Sequence, residues 1–142
     1  MQDVDAGKAL AITPEGVNGT AFAVSLDGQT VAAIGPDLKG YLYSISGHGE
    51  PRLIPGLQTG DLASSWSQDN KALFVYQSGE VPAKVYRLDL ATGKRTLWKQ
   101  LLPGDPAGVA TIGPILVTPD GKTFVYGFHR TLADLYLVEG LN

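Results

Sequence analysis

The chain contains no cysteine and only two histidines, and it lacks the features of several functional classes. Without cysteine it can form neither a disulfide nor a thiolate metal site. No apolar run approaches the roughly 18 to 20 residues that a membrane-spanning helix needs. Residues 1–5 show neither a basic segment nor an apolar core, so the sequence predicts no signal peptide. The compartment stays undetermined.

Charge is also sparse, and none of it is concentrated. The 142 residues include 11 Lys and Arg against 14 Asp and Glu, which gives a net charge of −3. The basic residues are scattered, so we expect no nucleic-acid partner, and without a long apolar run we expect no insertion into a membrane. With 44% hydrophobic residues the composition indicates a folded globular chain, and 18 glycines and 9 prolines indicate many turns and few long helices.

Three short turns mark a degenerate repeat. Each joins two strand-like runs and contains Asp-Gly or Asp-Asn, at Ser25–Gln29, Ser67–Lys71 and Thr118–Lys122. Gly and Asn suit tight hairpins because they tolerate positive φ angles. The Gly or Asn positions of the three turns stand 42 and 51 residues apart.

A second pattern supports the same register. An apolar-Tyr-x-apolar sequence places Tyr43, Tyr86 and Tyr136 43 and 50 residues apart. A period of about 40 to 50 residues with four short strands per unit is typical of β-propeller blades. We therefore predict an all-β chain that forms a partial β-propeller of three four-stranded antiparallel blades.

The repeat divides the chain into a displaced outer strand within 1–14, a first blade at 15–57, a second at 58–102 and a third at 103–142. The third blade lacks its outer strand, and the Gly/Pro-rich stretch Leu101–Ile112 before it is predicted to be a loop. The strands predicted within the blades are Thr20–Ser25, Thr30–Gly35, Gly40–Ser46, Pro51–Ile54, Leu62–Ser67, Ala72–Gln77, Lys84–Leu90, Arg95–Lys99, Gly113–Thr118, Thr123–Phe128 and Asp134–Glu139.

The missing outer strand is predicted at the N-terminus. Residues 3–8 resemble residues 89–94, which lead into the outer strand of the second blade, so Lys8–Ile12 should be an outer strand with no blade in front of it. A chain with this strand order leaves a sheet edge and two apolar end faces uncovered. Our hypothesis is a homodimer that closes a six-bladed ring, in which each N-terminal strand completes the third blade of the other copy. The alternatives are a piece of a larger single-chain propeller and a three-copy, nine-bladed ring.

The repeat resembles the TolB-like, WD40-like propeller repeats of bacterial proteins, often called PD40. Thr118-Pro119-Asp120-Gly121-Lys122 followed by an aromatic-rich strand carries the resemblance, while Leu26 and Gln68 replace the proline of that pattern. The stretch Thr131–Leu141 is similar to the C-terminal end of bacterial serine/threonine protein kinases that carry such a propeller. That resemblance implies an origin in a larger signalling protein, although the chain contains no kinase motif.

No residue pattern predicts catalysis, a cofactor or a metal site. His48 and His129 lack the spacing of metal ligands, and His48 is expected in an exposed turn between two strands. The sequence has no Gly-x-Ser-x-Gly nucleophile elbow. The recurring Asp27, Asp69 and Asp120 are predicted to bond the backbone of their own hairpin turns.

Four residues are candidates to face the central channel or a ligand: Ser64, Trp66, His129 and Arg130. For Trp66 we favour a packing role. The function that the sequence favours is a non-catalytic protein-interaction or sensing module that associates with itself and takes a protein or peptide ligand. The alternatives are an accessory or gating domain of a kinase or hydrolase and a unit whose only role is self-assembly.

Overall fold

The computed structural model describes residues 11–18 and 22–133. The predicted strand Asp134–Glu139, the first residues of the predicted strand at Thr20 and most of the predicted N-terminal strand lie outside these residues. Of that N-terminal strand, Ala11 and Ile12 are described and are not in a strand.

The described residues form ten strands in three antiparallel sheets. The first and second blades are four-stranded with the orders β1-β2-β3-β4 and β5-β6-β7-β8, and the third shows the pair β10-β9. Their bounds are β1 Phe22–Val24, β2 Thr30–Ile34, β3 Gly40–Ser44, β4 Arg52–Leu53, β5 Asp61–Trp66, β6 Ala72–Gln77, β7 Ala83–Asp89, β8 Arg95–Leu101, β9 Val109–Val117 and β10 Phe124–Arg130.

Each blade's first hairpin is held by the same side-chain chemistry. In the first blade, Asp27 Oδ1 accepts the Ser25 hydroxyl at 2.5 Å and the Gln29 N–H at 3.0 Å, and Ser25 Oγ accepts the Thr30 N–H at 2.9 Å. The same three bonds recur around Asp69 and around Asp120. The prediction that these carboxylates serve their own turns is confirmed.

The third blade begins earlier than the sequence indicated. The prediction that Leu101–Ile112 is a loop was wrong at both ends, because β8 reaches Leu101 and β9 starts at Val109. Residues of β9 before Gly113 pair with the far end of β10, where His129 faces Thr111 and Arg130 faces Val109. A register shift after Tyr126 lets the ladder continue past Gly113 and Pro114, so Gly and Pro here mark a bulge inside a strand instead of a loop.

The blades pack side by side through their flat faces. The first strands of neighbouring blades, β1, β5 and β9, contact one another in sequence order. One apolar cluster joins the first and second blades, with Ala32 and Leu42 meeting Trp66 and Leu73, and a second cluster joins the second and third blades. The chain is therefore all-β and forms a partial propeller, as the repeat predicted.

Candidate functional site

Apolar packing and a hydrogen bond join neighbouring blades at both internal junctions. We call the side of a blade that turns toward the preceding blade its leading face, and the other side its trailing face. At the first junction the leading-face residue Trp66 donates its indole N–H to the carbonyl of Ala23 on the trailing face, at 2.9 Å. At the second, the Ile115 N–H donates to the hydroxyl of Tyr76 at 3.3 Å. Each junction thus buries apolar side chains around an inter-blade hydrogen bond.

The leading face of the first blade is exposed along β1. Val24 occupies the position that Trp66 and Val117 hold in the other two blades, as the shared spacing to the hairpin turn shows. Val24 is 47% exposed, whereas Trp66 and Val117 are 4% and 5% exposed. Phe22, two residues earlier on the same side of β1, is 55% exposed. The β1 part of this face is therefore apolar, like a blade junction, but is exposed.

A cavity of about 430 Å³ lies on this leading face, lined by Phe22 and Val24 together with residues of the segment 12–18. Ile12 and Val17 pack against the cluster of Val31, Ala33 and Tyr43. The equivalent chain between the first and second blades contributes Ile54 and Leu57 to the junction there. Residues 12–18 thus pack on the first blade in the way that the connection between β4 and β5 packs on the second blade.

The trailing face of the third blade is the opposite open end. Val125 occupies the position of Ala32 and Phe74 in the preceding blades. It is 65% exposed, whereas Ala32 and Phe74 are 1% and 3% exposed because the next blade covers them. Leu116, which lies opposite Val125 in the β9–β10 ladder, is also exposed. Two apolar faces of complementary type therefore stand at the two ends of the chain.

The sequence did not single out these four end-face residues, Phe22, Val24, Leu116 and Val125. The repeat register, combined with the alternation of side chains between the two faces of a strand, could have predicted them from the sequence. The positions of Val24 and Val125 are apolar in all three units, which predicts burial, and among the described residues the end units have no neighbouring blade to cover them.

Two of the predicted channel-facing residues take part in inter-blade contacts. Trp66 is buried in the junction described above. Ser64 is half-buried and donates its hydroxyl to the Ile115 carbonyl at 2.8 Å, which ties β5 to β9. The neighbouring Ser65 hydroxyl is buried without a hydrogen-bond partner among the described residues.

The other two candidates lie at the far end of β10. His129 is exposed, and Arg130 is half-buried with its guanidinium bonded to Asp105 at 2.8 Å. The structure brings Ser64 and Trp66 to one strand and His129 and Arg130 to another. A role of these four residues in ligand binding stays a prediction.

A groove of about 490 Å³ runs along the junction of the second and third blades, beside their hairpin turns. Asp69 and Asp120 line it together with Arg87, whose guanidinium lies 3.5 Å from the Asp69 carboxylate. The hydroxyl of Ser67 and the Lys71 N–H lower the pKa of Asp69, and Thr118 and the Lys122 N–H do the same for the pKa of Asp120. Both carboxylates are accordingly charged at neutral pH.

The described residues contain no group of three or more His, Asp or Glu side chains placed to hold a metal ion. Within the same residues, no helix has the length and apolarity needed to cross a bilayer. His48 is exposed in the connection between β3 and β4, where the sequence placed it.

Comparison with known proteins finds a likeness at the level of the fold. No protein-family model matches the chain, and no curated protein matches it. The crystal structure of TolB from Acinetobacter baumannii is similar, with a TM-score of 0.59 and 20% sequence identity. The match covers 88% of this chain and 30% of the TolB chain, so the chain spans less than a third of that protein's length. The predicted TolB-like propeller fold is confirmed, and the resemblance of the tail to kinases stays a prediction.

Proposed function

We propose that the chain is a non-catalytic protein-interaction module that associates with itself to complete a propeller ring. The observation that supports this most directly is the pair of open end faces. Val24 and Val125 are exposed at positions that are buried at every internal junction. Three blades do not close a ring, because propellers typically need about four to eight.

Two copies together would supply six blades and a closed ring. In this arrangement Lys8–Ile12 of each copy forms the outer strand of the other copy's third blade. The course of residues 12–18 along the first blade supports this direction of approach, because the connection that precedes the second blade also comes from an outer strand, β4. A ring leaves its two flat surfaces and its channel free for a protein or peptide partner. The kinase-like tail favours an origin of the module in a larger bacterial signalling protein.

The mass of the protein in solution tests the proposal. Sedimentation equilibrium should give twice the 15.0 kDa of one chain, with dissociation on dilution. A folded species of one-chain mass at all concentrations would overturn the proposal, and three times that mass would favour the nine-bladed ring. Hydrolytic or phosphoryl-transfer activity of the purified chain would contradict its non-catalytic character.

A further inference from the structure

We infer that the joint between copies is head-to-tail: the leading face of one first blade receives the trailing face of another copy's third blade. This inference rests on the proposed function, since it requires that copies associate. It goes further by naming which residues meet and by excluding a joint between two identical faces.

The internal junctions supply the template for this joint. At the first junction, Trp66 on a leading face reaches the carbonyl of Ala23 on a trailing face. In blade position, Val24 corresponds to Trp66 and Leu116 corresponds to Ala23. If the joint between copies repeats the internal junction, Val24 of one copy lies against Leu116 of the other.

The two faces match in chemistry as well as in position, because both are apolar. The leading face carries the cavity of about 430 Å³, whose lining is largely apolar and includes Phe22, Val24 and Ile45. The trailing face presents the exposed side chains of Leu116 and Val125 next to each other. Seating such side chains in an apolar cavity removes both surfaces from water, and this burial is the main driving force for association.

A second copy is the occupant that these observations favour. One chain carries both faces that a blade junction needs: the leading face of its first blade and the trailing face of its third. Val24 on the first face and Val125 on the second are exposed. When a leading face binds a trailing face, the same joint can be repeated from copy to copy, and a ring closes if the rotation between copies fits. A joint between two leading faces would leave both trailing faces uncovered. Two head-to-tail joints cover all four end faces of two copies.

Chemical cross-linking can distinguish these joints, because the chain has no cysteine of its own. Two single variants, Val24→Cys and Leu116→Cys, are refolded together in equal amounts and treated with a short bis-maleimide. A head-to-tail joint predicts a covalent two-chain product in up to half of the dimers, with no product from either variant alone. Leu97→Cys, an exposed position on the outer strand of the middle blade, replaces Leu116→Cys in the control mixture and should give none.

Four outcomes are informative. A product from the mixture alone supports the joint. A product from Val24→Cys by itself indicates a joint between identical faces and overturns the inference. If the unmodified protein is dimeric but the mixture gives no product, the inference fails while the proposed self-association stands, and a monomeric unmodified protein removes the proposed function itself.

Discussion

The most deeply buried charge of the described residues is the carboxylate of Asp61 at the start of β5. It accepts the Gln58 N–H at 2.8 Å and two hydrogen bonds from the guanidinium of Arg95, which also lies 4.6 Å above the ring of Tyr86. A buried carboxylate is stable only when its hydrogen-bonding capacity is met. Asp61 thus ties the connection between the first two blades to the outer strand of the second.

Asp61→Ala should lower the free energy of unfolding by about 3 kcal/mol, because it leaves the Arg95 charge largely buried without its partner. Asp105→Ala is the matched control, since Asp105 also pairs with an arginine, Arg130, but is exposed. Its effect should stay within about 1 kcal/mol, as for other surface ion pairs. Urea denaturation measures both, and equal losses would contradict the structural role of Asp61.

The hairpin carboxylates give a pH-dependent prediction. The hydroxyl of Ser25, followed by the Gln29 N–H, lowers the pKa of Asp27. A carboxylate whose pKa is lower in the folded than in the unfolded chain stabilises the fold above its unfolded pKa, near 3.9, and that contribution is lost as the pH falls. Ser25→Ala should raise the pKa of Asp27 toward its usual value. NMR titration should show this shift with the pKa of Asp120 unchanged, and an unmoved Asp27 would exclude the serine as the cause.

At the scale of the element, the hairpin turns also connect the blades. The Leu26 N–H donates to Asn70 Oδ1 in the next turn at 3.0 Å, and the Gln68 N–H donates to the Pro119 carbonyl at 2.9 Å. The donors are the two positions where the repeat departs from proline. A proline there would have no N–H to donate, so the departures from the PD40 pattern coincide with the inter-blade hydrogen bonds.

Asn70 combines two roles that substitutions can separate. It adopts a φ of +53° and its side chain accepts the bond from Leu26. Asn70→Gly keeps the backbone conformation and loses only the hydrogen bond, so we expect a loss of about 1 kcal/mol. Asn70→Ala also forces a residue with a Cβ into the left-handed region, which adds about 1–2 kcal/mol. Urea denaturation should rank wild type, Gly and Ala in that order, and equal stability of the two variants would show that the backbone angle contributes nothing.

The elements show how far sequence reasoning reached. The hairpin turns and most of the strand cores were predictable, because the chemistry of an Asp-Gly turn and the alternation of apolar side chains are local. The start of β9 was not, because pairing with His129 and Arg130 overrides the loop-forming tendency of a Gly/Pro-rich stretch. Local composition does not predict a strand that forms only because it pairs with another strand.

At the scale of the whole molecule, the proposed ring couples stability to association. Val24 and Val125 are exposed in the single chain, and in the proposed ring they would be buried between copies. Anything that binds the folded state alone raises its stability by mass action. If the ring forms as proposed, the melting temperature will depend on the association of the copies.

The Tm of the unmodified protein should rise with protein concentration. Val24→Asp places a charge in the joint and should remove this dependence while the isolated chain stays folded. Leu97→Asp introduces the same charge at an exposed position of the middle blade and should leave the dependence intact. Calorimetry over a hundredfold range of concentration measures it, and a constant Tm for the unmodified protein would contradict the coupling.

The sequence by itself determined the repeat, the hairpin chemistry and the all-β propeller class. These follow from short-range patterns: turn residues that accept positive φ, and apolar side chains that alternate along a strand. The tertiary structure alone decided where the third blade begins, how Asp61 is satisfied, and which face of each end blade is open. Whether an apolar residue such as Val24 is covered depends on a neighbouring blade that is distant in the sequence. The equivalent residues Trp66 and Val117 pack against such a blade and are buried.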